Sequence, residues 1–252
     1  MYRNLYFLLL MVSMLACQPE SPKSQSPEEA QGPAPEKISK EISGFAAPEC
    51  IVSHRKMLYV SNVGVLAPTK KDGDGFISRM DLDGNVDKLK WVEGLDAPKG
   101  MAIKDQVLYV TDIDRVKGFQ LPDGNQVFDL DFSKDGVQFL NDITLGKDGV
   151  LLVSETILGK VFEVNTDGAG TYAALDIQGD IGGANGLFFD AKTNQLFLNS
   201  YGTNNEANGA TGLINMGSKE KRFKALGEHR GYMDGLLVLG SLVVGSDWKK
   251  ME

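Results

Sequence analysis

Short apolar runs separated by polar turns recur along most of this chain. The clearest copy spans residues 183–201, where apolar runs at 187–189 and 196–198 flank a polar turn at 190–195. Runs of this length, rich in aromatic and branched side chains and divided by turn-forming residues, predict an antiparallel hairpin. The pattern therefore favours strands over helices.

The same hairpin pattern occurs five times, and each copy has one polar or charged residue just before or at the start of its first apolar run. These register marks are Glu49, Lys99, Asn141, Asn185 and Asp234. Successive marks are roughly 42 to 50 residues apart, which is the period of four-stranded propeller blades. The repeat predicts an all-β chain folded as a β-propeller.

A second signal supports the same register. In the first three repeats, a third apolar segment ends in an Asp-Gly turn, with the glycines at Gly84, Gly124 and Gly168. Asp-Gly between strands is a strong hairpin signal, because glycine readily adopts the positive φ that such a turn needs. Each complete repeat is therefore predicted to hold four strands with no helix between them.

The first 40 residues differ from the rest. Residues 1–17 carry one positive charge, an apolar run at 5–16 and then Cys17, which is the layout of an export signal. The four residues ending in Cys17 resemble a bacterial lipobox, in which the cysteine is acylated. An ordinary signal peptide or an anchor helix is the alternative.

Residues 18–40 are rich in Pro, Ser and Glu and predict a disordered tether. With the lipid anchor, this arrangement places the propeller domain, 41–252, at the bacterial cell envelope. The expected location is the outer membrane or the periplasmic face, with membrane contact through the anchor only.

Composition excludes some functions. The formal net charge is −8 and no basic run occurs, which argues against a nucleic-acid partner. Cys50 is expected to be a buried, small apolar residue, and two cysteines give no disulfide framework. His54 and His229 are predicted to be solvated loop residues. Residues 70–81 superficially resemble a calcium loop but are better interpreted as a surface loop that leads into a strand, because Lys70 takes the first ligand position and no flanking helices are predicted.

The register marks are the candidate chemistry. The first strand of each blade lines the central channel, so side chains at the same edge of successive inner strands should converge. Two carboxylates (Glu49, Asp234) and two amide oxygens (Asn141, Asn185) suit Ca²⁺ or another divalent cation such as Zn²⁺, Mg²⁺ or Mn²⁺. The alternative is that these polar residues bond turn backbone. Lys99 is expected either to hold an anionic group of a small-molecule substrate or to be a solvated rim residue.

From residue 42 onward, the motifs Glu49, Asn141-Asp142, Asn185-Gly186 and Asp234-Gly235 resemble the metal-ligand motifs of the senescence marker protein (regucalcin)/gluconolactonase family. The resemblance implies a six-bladed propeller with a divalent ion in the channel. It implies that Glu49, Asn185 and Asp234 are direct ligands, and that Asn141 is a ligand or lies close to substrate. It also implies that Asp234 doubles as the general base.

The sequence departs from that family in three places. Glu49 is followed by Cys-Ile instead of Gly-Pro, Asn141-Asp142 is followed by Ile143 instead of Gly, and Lys99 faces the channel. The expected function is metal-dependent hydrolysis of a lactone or ester. A non-catalytic, surface-tethered propeller that binds a ligand or a protein partner is the alternative.

The repeats amount to about four and a half blades, which favours a chain truncated at its C-terminus. Residues 42–45 are a candidate outer strand for the last blade.

Overall fold

The computed structural model describes residues 40–65 and 67–250. The predicted signal peptide at 1–17 and all of the predicted tether except Lys40 lie outside the described residues. No helix in the described part of the chain is long and apolar enough to cross a bilayer. The described residues form five sheets arranged as successive blades, antiparallel except for one short parallel pairing, which confirms the predicted β-propeller.

Three blades are four-stranded meanders in chain order. Blade one contains β1 (Pro48–His54), β2 (Met57–Asn62), β3 (Gly75–Asp81) and β4 (Val86–Leu95). Blade two contains β5 (Pro98–Lys104), β6 (Val107–Asp112), β7 (Arg115–Gln120) and β8 (Gln126–Asp131). Blade three contains β9 (Leu140–Leu145), β10 (Leu151–Glu155), β11 (Lys160–Asn165) and β12 (Thr171–Ala174).

The last two blades depart from the strict repeat. The connection after blade three supplies β13 (Ile177–Gln178), which pairs in parallel with the outermost strand of blade four. Blade four itself contains β14 (Ala184–Asp190), β15 (Gln195–Ser200), β16 (Thr211–Asn215) and β17 (Lys221–Ala225). Blade five is the hairpin β18 (Met233–Leu239) and β19 (Leu242–Asp247). Short 3₁₀ turns occur at Ser133–Asp135, Lys147–Gly149 and Trp248–Lys250.

The hydrophobic core lies between the blades, where one sheet face packs on the next. Between blades one and two, Tyr59 and Trp91 meet edge to face at 4.9 Å and belong to one cluster with Leu108. The next interface is built in the same way, with Tyr109 and Phe128 of blade two in one cluster with blade three. Aromatic pairs of this geometry add stabilisation beyond the area that they bury.

The turns behave as the sequence predicts. Gly84, Gly124 and Gly168 have φ values of 76°, 83° and 62°. A side chain would be strained at these angles, which explains why each turn ends in glycine.

The prediction for residues 42–45 is wrong, because they form no strand and lie beside blade one instead of the last blade. Lys40 Nζ donates to the backbone oxygen of Asp83 at 2.7 Å, and the Ile42 side chain lies against Gly84. These contacts hold the segment over the turn between β3 and β4.

Polar side chains near the end of each second strand hold the inner strand of the following blade. Thr111 is fully buried, and its hydroxyl donates to the backbone oxygen of Asn141 at 2.6 Å. Equivalent bonds run from Ser61 to the Lys99 oxygen at 2.7 Å and from Asn199 Nδ2 to the Gly235 oxygen at 2.8 Å. The blades are therefore joined by hydrogen bonds at the channel as well as by apolar packing.

Thr111→Val tests these inter-blade bonds. Valine keeps the shape of threonine but leaves a buried carbonyl without its donor, so the free energy of unfolding should fall by about 1–2 kcal/mol. Thr193→Val is the matched control, because its hydroxyl bonds Asp190 in an exposed turn. The control should change stability by less than about 0.5 kcal/mol. Urea unfolding measures both, and equal losses would contradict a special role for the inter-blade bond.

Candidate metal centre in the central channel

Each register mark is the second residue of its inner strand and sits in a β-bulge. In blade one, Pro48 pairs with Asn62 and Ile51 pairs with Val60, so β1 carries one extra residue around Glu49. In each of the other four blades, two residues of the inner strand likewise lie opposite one residue of the second strand. A bulge re-aims the side chain beside it. The repeat of the bulge therefore explains how five marks turn toward one channel.

Side-chain hydroxyls support three of these bulges. The N–H of Cys50 donates to Ser61 Oγ at 3.0 Å, and the N–H of Asp142 donates to Ser154 Oγ at 2.8 Å. The N–H of Gly235 donates to the hydroxyl of Ser246 at 2.9 Å. Each bond satisfies a backbone group near the irregular part of the ladder, so the bulges are held in place by the second strand.

Two glycines let neighbouring inner strands approach closely. A Cβ at Gly186 would lie 2.3 Å from the backbone oxygen of Asp234. A Cβ at Gly100 would lie 2.6 Å from the Cα of Asp142. Any side chain at either position would push the inner strands apart, so these glycines set the width of the channel.

The five marks line one cavity of about 260 Å³. A second cavity of about 450 Å³ shares Glu49, Asn141, Asn185 and Asp234 with it. The structure thus brings together the residues that the sequence singled out, and their chemical roles stay predictions. Phe139, Thr156, Tyr201 and Trp248 also line the smaller cavity and have no place in the repeat pattern.

Three carboxyl groups near this cavity have raised pKa values. Partial burial raises the pKa of Glu49, and the carboxyls of Asp234 and Asp142 raise it further. Burial also raises the pKa of Asp234, although a hydrogen bond from Asn185 opposes the change. Burial raises the pKa of Asp142 to about 6 despite backbone donors at Leu187 and Ile143. The channel therefore concentrates negative charge that a cation would stabilise.

Lys99 is the one lysine that lines this cavity, and it is 2% exposed. Its Nζ donates to the backbone oxygens of Pro68 at 2.9 Å and Ala97 at 3.0 Å. It also lies 4.5 Å from the centre of the Phe139 ring. Burial lowers the pKa of Lys99 to about 8, and the carboxyl of Glu49 opposes that change. Lys99 is thus a fixed wall residue, not a solvated rim residue.

The two amides have different surroundings. Asn185 is 3% exposed and bonds the carboxyl of Asp234. The Nδ2 of Asn141 donates to Thr156 Oγ1 at 3.2 Å, and Thr156 donates to the backbone oxygen of Ala184 at 2.9 Å. The bond to Thr156 fixes the orientation of the Asn141 amide, whose oxygen is the candidate ligand.

The donor set fits a hard divalent cation only if the amides take part. In the described ranges, no group of three or more His, Cys, Asp or Glu side chains is placed to hold a metal ion. Glu49 and Asp234 supply two carboxylates, and Asn141 and Asn185 supply amide oxygens. Oxygen-only sets of this kind suit Ca²⁺ better than Zn²⁺, which prefers nitrogen and sulfur ligands.

The remaining sequence candidates lie as follows. His54 ends β1 and is half-buried, which corrects its prediction as a solvated loop residue, whereas His229 lies in an exposed loop. Cys50 is half-buried beside the channel, and burial raises its thiol pKa to about 12. Asp72 in the 70–81 segment pairs with Lys70 at 3.2 Å in an exposed loop, as expected.

Asp142 predicts a pH dependence. Its pKa is about 6 in the folded chain against a reference value of 3.8, so the folded state binds the proton more tightly. The contribution of Asp142 to stability should therefore be fully present below about pH 4 and be lost as pH rises through about 6, by about 3 kcal/mol at most. Urea unfolding in EDTA across this range should show that Asp142→Asn has a flatter profile than the parent. Parallel profiles would contradict the assignment.

Comparison with known proteins supports the fold. No known family matches the sequence, and no curated protein matches it either. Among solved structures, virginiamycin B lyase from Staphylococcus aureus is 16% identical with a TM-score of 0.59; the match covers 81% of this chain and 64% of that one. An inactive form of that lyase with quinupristin is 14% identical with a TM-score of 0.58, covering 83% and 72%.

A gluconolactonase from Xanthomonas campestris is 14% identical with a TM-score of 0.55, and the match covers 76% of this chain and 66% of that one. The β-propeller domain of Cps50 from Myceliophteria thermophila, 12% identical, has a TM-score of 0.57, with coverage of 81% and 65%. This chain thus spans about two thirds of the length of the propellers that it matches. Likeness at this identity shows the fold alone: the chain is a β-propeller.

Proposed function

We propose that this protein is a divalent-metal-dependent hydrolase of a lactone or ester. The observation that carries the proposal is the convergence of Glu49, Asn141, Asn185 and Asp234 on one cavity beside a buried lysine. The likeness to a gluconolactonase supports the choice of substrate class. Ca²⁺ is the proposed cofactor, and Mg²⁺, Mn²⁺ or Zn²⁺ are the other candidates.

A bound divalent cation would polarise the carbonyl of the substrate and stabilise the oxyanion that forms on it. Glu49 and Asp234 would hold it with their carboxylates, and Asn141 and Asn185 with their amide oxygens. Thr156 fixes the Asn141 amide by accepting from Nδ2, and Asn185 orients Asp234 by bonding its carboxyl. The chain therefore holds its candidate ligands by hydrogen bonds.

Asp234 is the proposed general base. Its carboxylate takes a proton from water as the water oxygen bonds to the carbonyl carbon. The bond from that carbon to the ring or ester oxygen then breaks, and Asp234 returns the proton to the leaving oxygen. Burial raises the pKa of Asp234 in the metal-free chain, whereas a bound cation would lower it and so favour the carboxylate form that the base needs.

Lys99 is the proposed contact for an anionic or strongly polar group of the substrate. Two of its three N–H donors are held by Pro68 and Ala97, and the ammonium lies on the cavity wall. Because this buried cation already has little freedom to move, it loses little conformational entropy when it binds an oxygen of the substrate.

A binding module without turnover is the second candidate. Lys99 already places a positive charge in the channel, where the Glu49 carboxyl stabilises it, so the carboxyls have a built-in counter-charge. The fold is compatible with this candidate as well, because propellers host many unrelated functions. The metal and lactone tests below separate the two candidates.

We also propose that Cys17 carries a lipid that tethers the propeller to the cell envelope through residues 18–40. The support is the lipobox-like sequence before Cys17 and the Pro/Ser/Glu-rich segment after it. A tether of this composition would hold the propeller away from the membrane surface.

Calcium should raise the melting temperature of the parent protein. At 100 times the dissociation constant, the expected stabilisation is about 2.7 kcal/mol, or several degrees. Asp234→Asn should lose most of this shift, because it removes one ligand charge. Asp190→Asn is the control, since Asp190 only bonds its own turn, and it should keep the shift.

The same proteins should be assayed with a panel of lactones in EDTA and in calcium. Hydrolysis that needs the metal and is lost in Asp234→Asn supports the hydrolase. A calcium shift without hydrolysis of any lactone favours the binding module. A cooperatively folded parent that calcium, magnesium, manganese and zinc all leave unchanged would exclude the metal site.

Cys17→Ser tests the anchor. Expressed in a bacterial host, the parent should fractionate with membranes and incorporate labelled palmitate, because a thioether-linked lipid partitions into the bilayer. The variant should lose the label and most of its membrane association. An unlabelled parent in the soluble fraction would exclude lipidation.

A further inference from the structure

A groove much larger than the channel cavity opens beside it. Its volume is about 770 Å³, against about 260 Å³ for the cavity that holds the register marks. Three segments form it: the turn at 156–161, the connection at 175–183 and the loop at 201–205. We call it the side groove. It lies between blades three and four.

The side groove adjoins the channel cavity. Phe139, Thr156 and Tyr201 line both spaces. Thr156 is also the residue that holds the Asn141 amide, so the boundary between the two spaces lies directly beside a candidate ligand. A substrate bound at the register marks would enter the side groove across this boundary.

One wall of the side groove is apolar and uncovered. The connection after the second strand carries a buried apolar residue in blade one, Val63, and in blade two, Ile113. In blade three, Ile157 is 59% exposed and Leu158 is 38% exposed. Both line the side groove. An exposed apolar pair beside a polar channel is typical of a ligand contact.

Another part of the lining is formed largely by backbone. Gly182 and Gly183 accept hydrogen bonds from Gly202 and Tyr201. A Cβ at Gly183 would lie 2.8 Å from the backbone oxygen of Gly202, so this position has no room for a side chain. The result is a smooth wall against which a flat or extended group can pack.

The charges along the side groove disfavour an anion. Asp176 and Asp180 line it, and Lys160 is its one basic residue. Asp180 accepts a hydrogen bond from the N–H of Gly182, which keeps its carboxylate at the wall. An uncharged or cationic occupant is therefore expected, in contrast to the lysine-bearing channel.

We propose that the side groove binds a bulky, largely apolar, uncharged or cationic substituent of the substrate whose reactive carbonyl lies in the channel. This inference rests on the proposed function. The cavity that all five register marks line is smaller than most ligand sites, whereas the side groove is within their usual range. The preferred substrates are then lactones or esters with a long alkyl or aryl substituent, not small polyhydroxylated lactones.

The test compares two γ-lactones that differ only in the substituent at the ring carbon, methyl or hexyl. Each methylene buried in the groove contributes to binding, so kcat/KM should be at least about tenfold higher for the hexyl compound. Ile157→Asp places a charge in the apolar wall and should remove most of that ratio. Leu239→Asp, at an equally exposed apolar site outside the groove, should leave the ratio unchanged.

Binding of the corresponding methyl and hexyl γ-lactams, measured by calorimetry on the same three proteins, separates this inference from the proposed function. The hexyl lactam should bind at least about tenfold more tightly than the methyl lactam, and Ile157→Asp should remove the difference. If this is observed although no lactone is hydrolysed, the result supports substituent binding in the side groove and contradicts the proposed hydrolase. A lactam whose alkyl substituent ends in a carboxylate should bind more weakly than one whose substituent ends in an ammonium group, because the side groove is weakly acidic. Hydrolysis without preference for the hexyl lactone, or no binding of either lactam, would overturn the side groove.

Discussion

The site depends on hydrogen bonds from the second strand of each blade to the inner strand of the next. Ser61, Thr111 and Asn199 reach across the blade interface and donate to backbone oxygens at or beside the register marks. Apolar packing between sheets alone allows small sliding, because it is not directional. The hydrogen bonds are directional, so they fix where each bulge sits and where each side chain enters the channel.

The same constraint explains the electrostatics of the channel. Bulges at equal height in neighbouring blades place Glu49, Asp234 and Lys99 around one cavity. Besides burial, the carboxyls of Asp234 and Asp142 raise the pKa of Glu49, while the ammonium of Lys99 opposes this change. Bringing like charges together opposes folding, and proteins retain such arrangements chiefly at functional sites. A channel built of oxygen ligands alone would lack this buried lysine. The two candidate functions differ in its role: Lys99 contacts the substrate in the hydrolase, and it balances the charge of the carboxyls in the binding module.

The channel and the side groove adjoin each other and differ in size and charge. The channel cavity is small and is lined by two carboxylates and a buried lysine, and the side groove is wide, weakly acidic and carries an exposed apolar pair. A reactive centre next to a spacious pocket lets the fixed residues perform the chemistry while the pocket selects the substrate. Propellers suit this division, because inner strands are held rigidly and the connecting loops vary freely.

The sequence by itself determined the fold class and the positions of the inner strands. Periodic apolar runs and Asp-Gly turns are local signals, and the structure bears them out at β14 and β15 and at Gly84, Gly124 and Gly168. The blade register of Glu49 and Asp234 could also be predicted, because a repeat of fixed period places equivalent residues at the same edge.

Only the tertiary structure decided the rest. The parallel strand β13, the packing of residues 42–45 on blade one and the half-buried His54 depend on contacts between distant segments. The burial of Lys99 against Phe139, and the role of Thr156 in holding Asn141, follow from how neighbouring blades meet. The side groove is invisible in the sequence for the same reason. A pocket between blades belongs to no single repeat, so no local pattern along the chain encodes it.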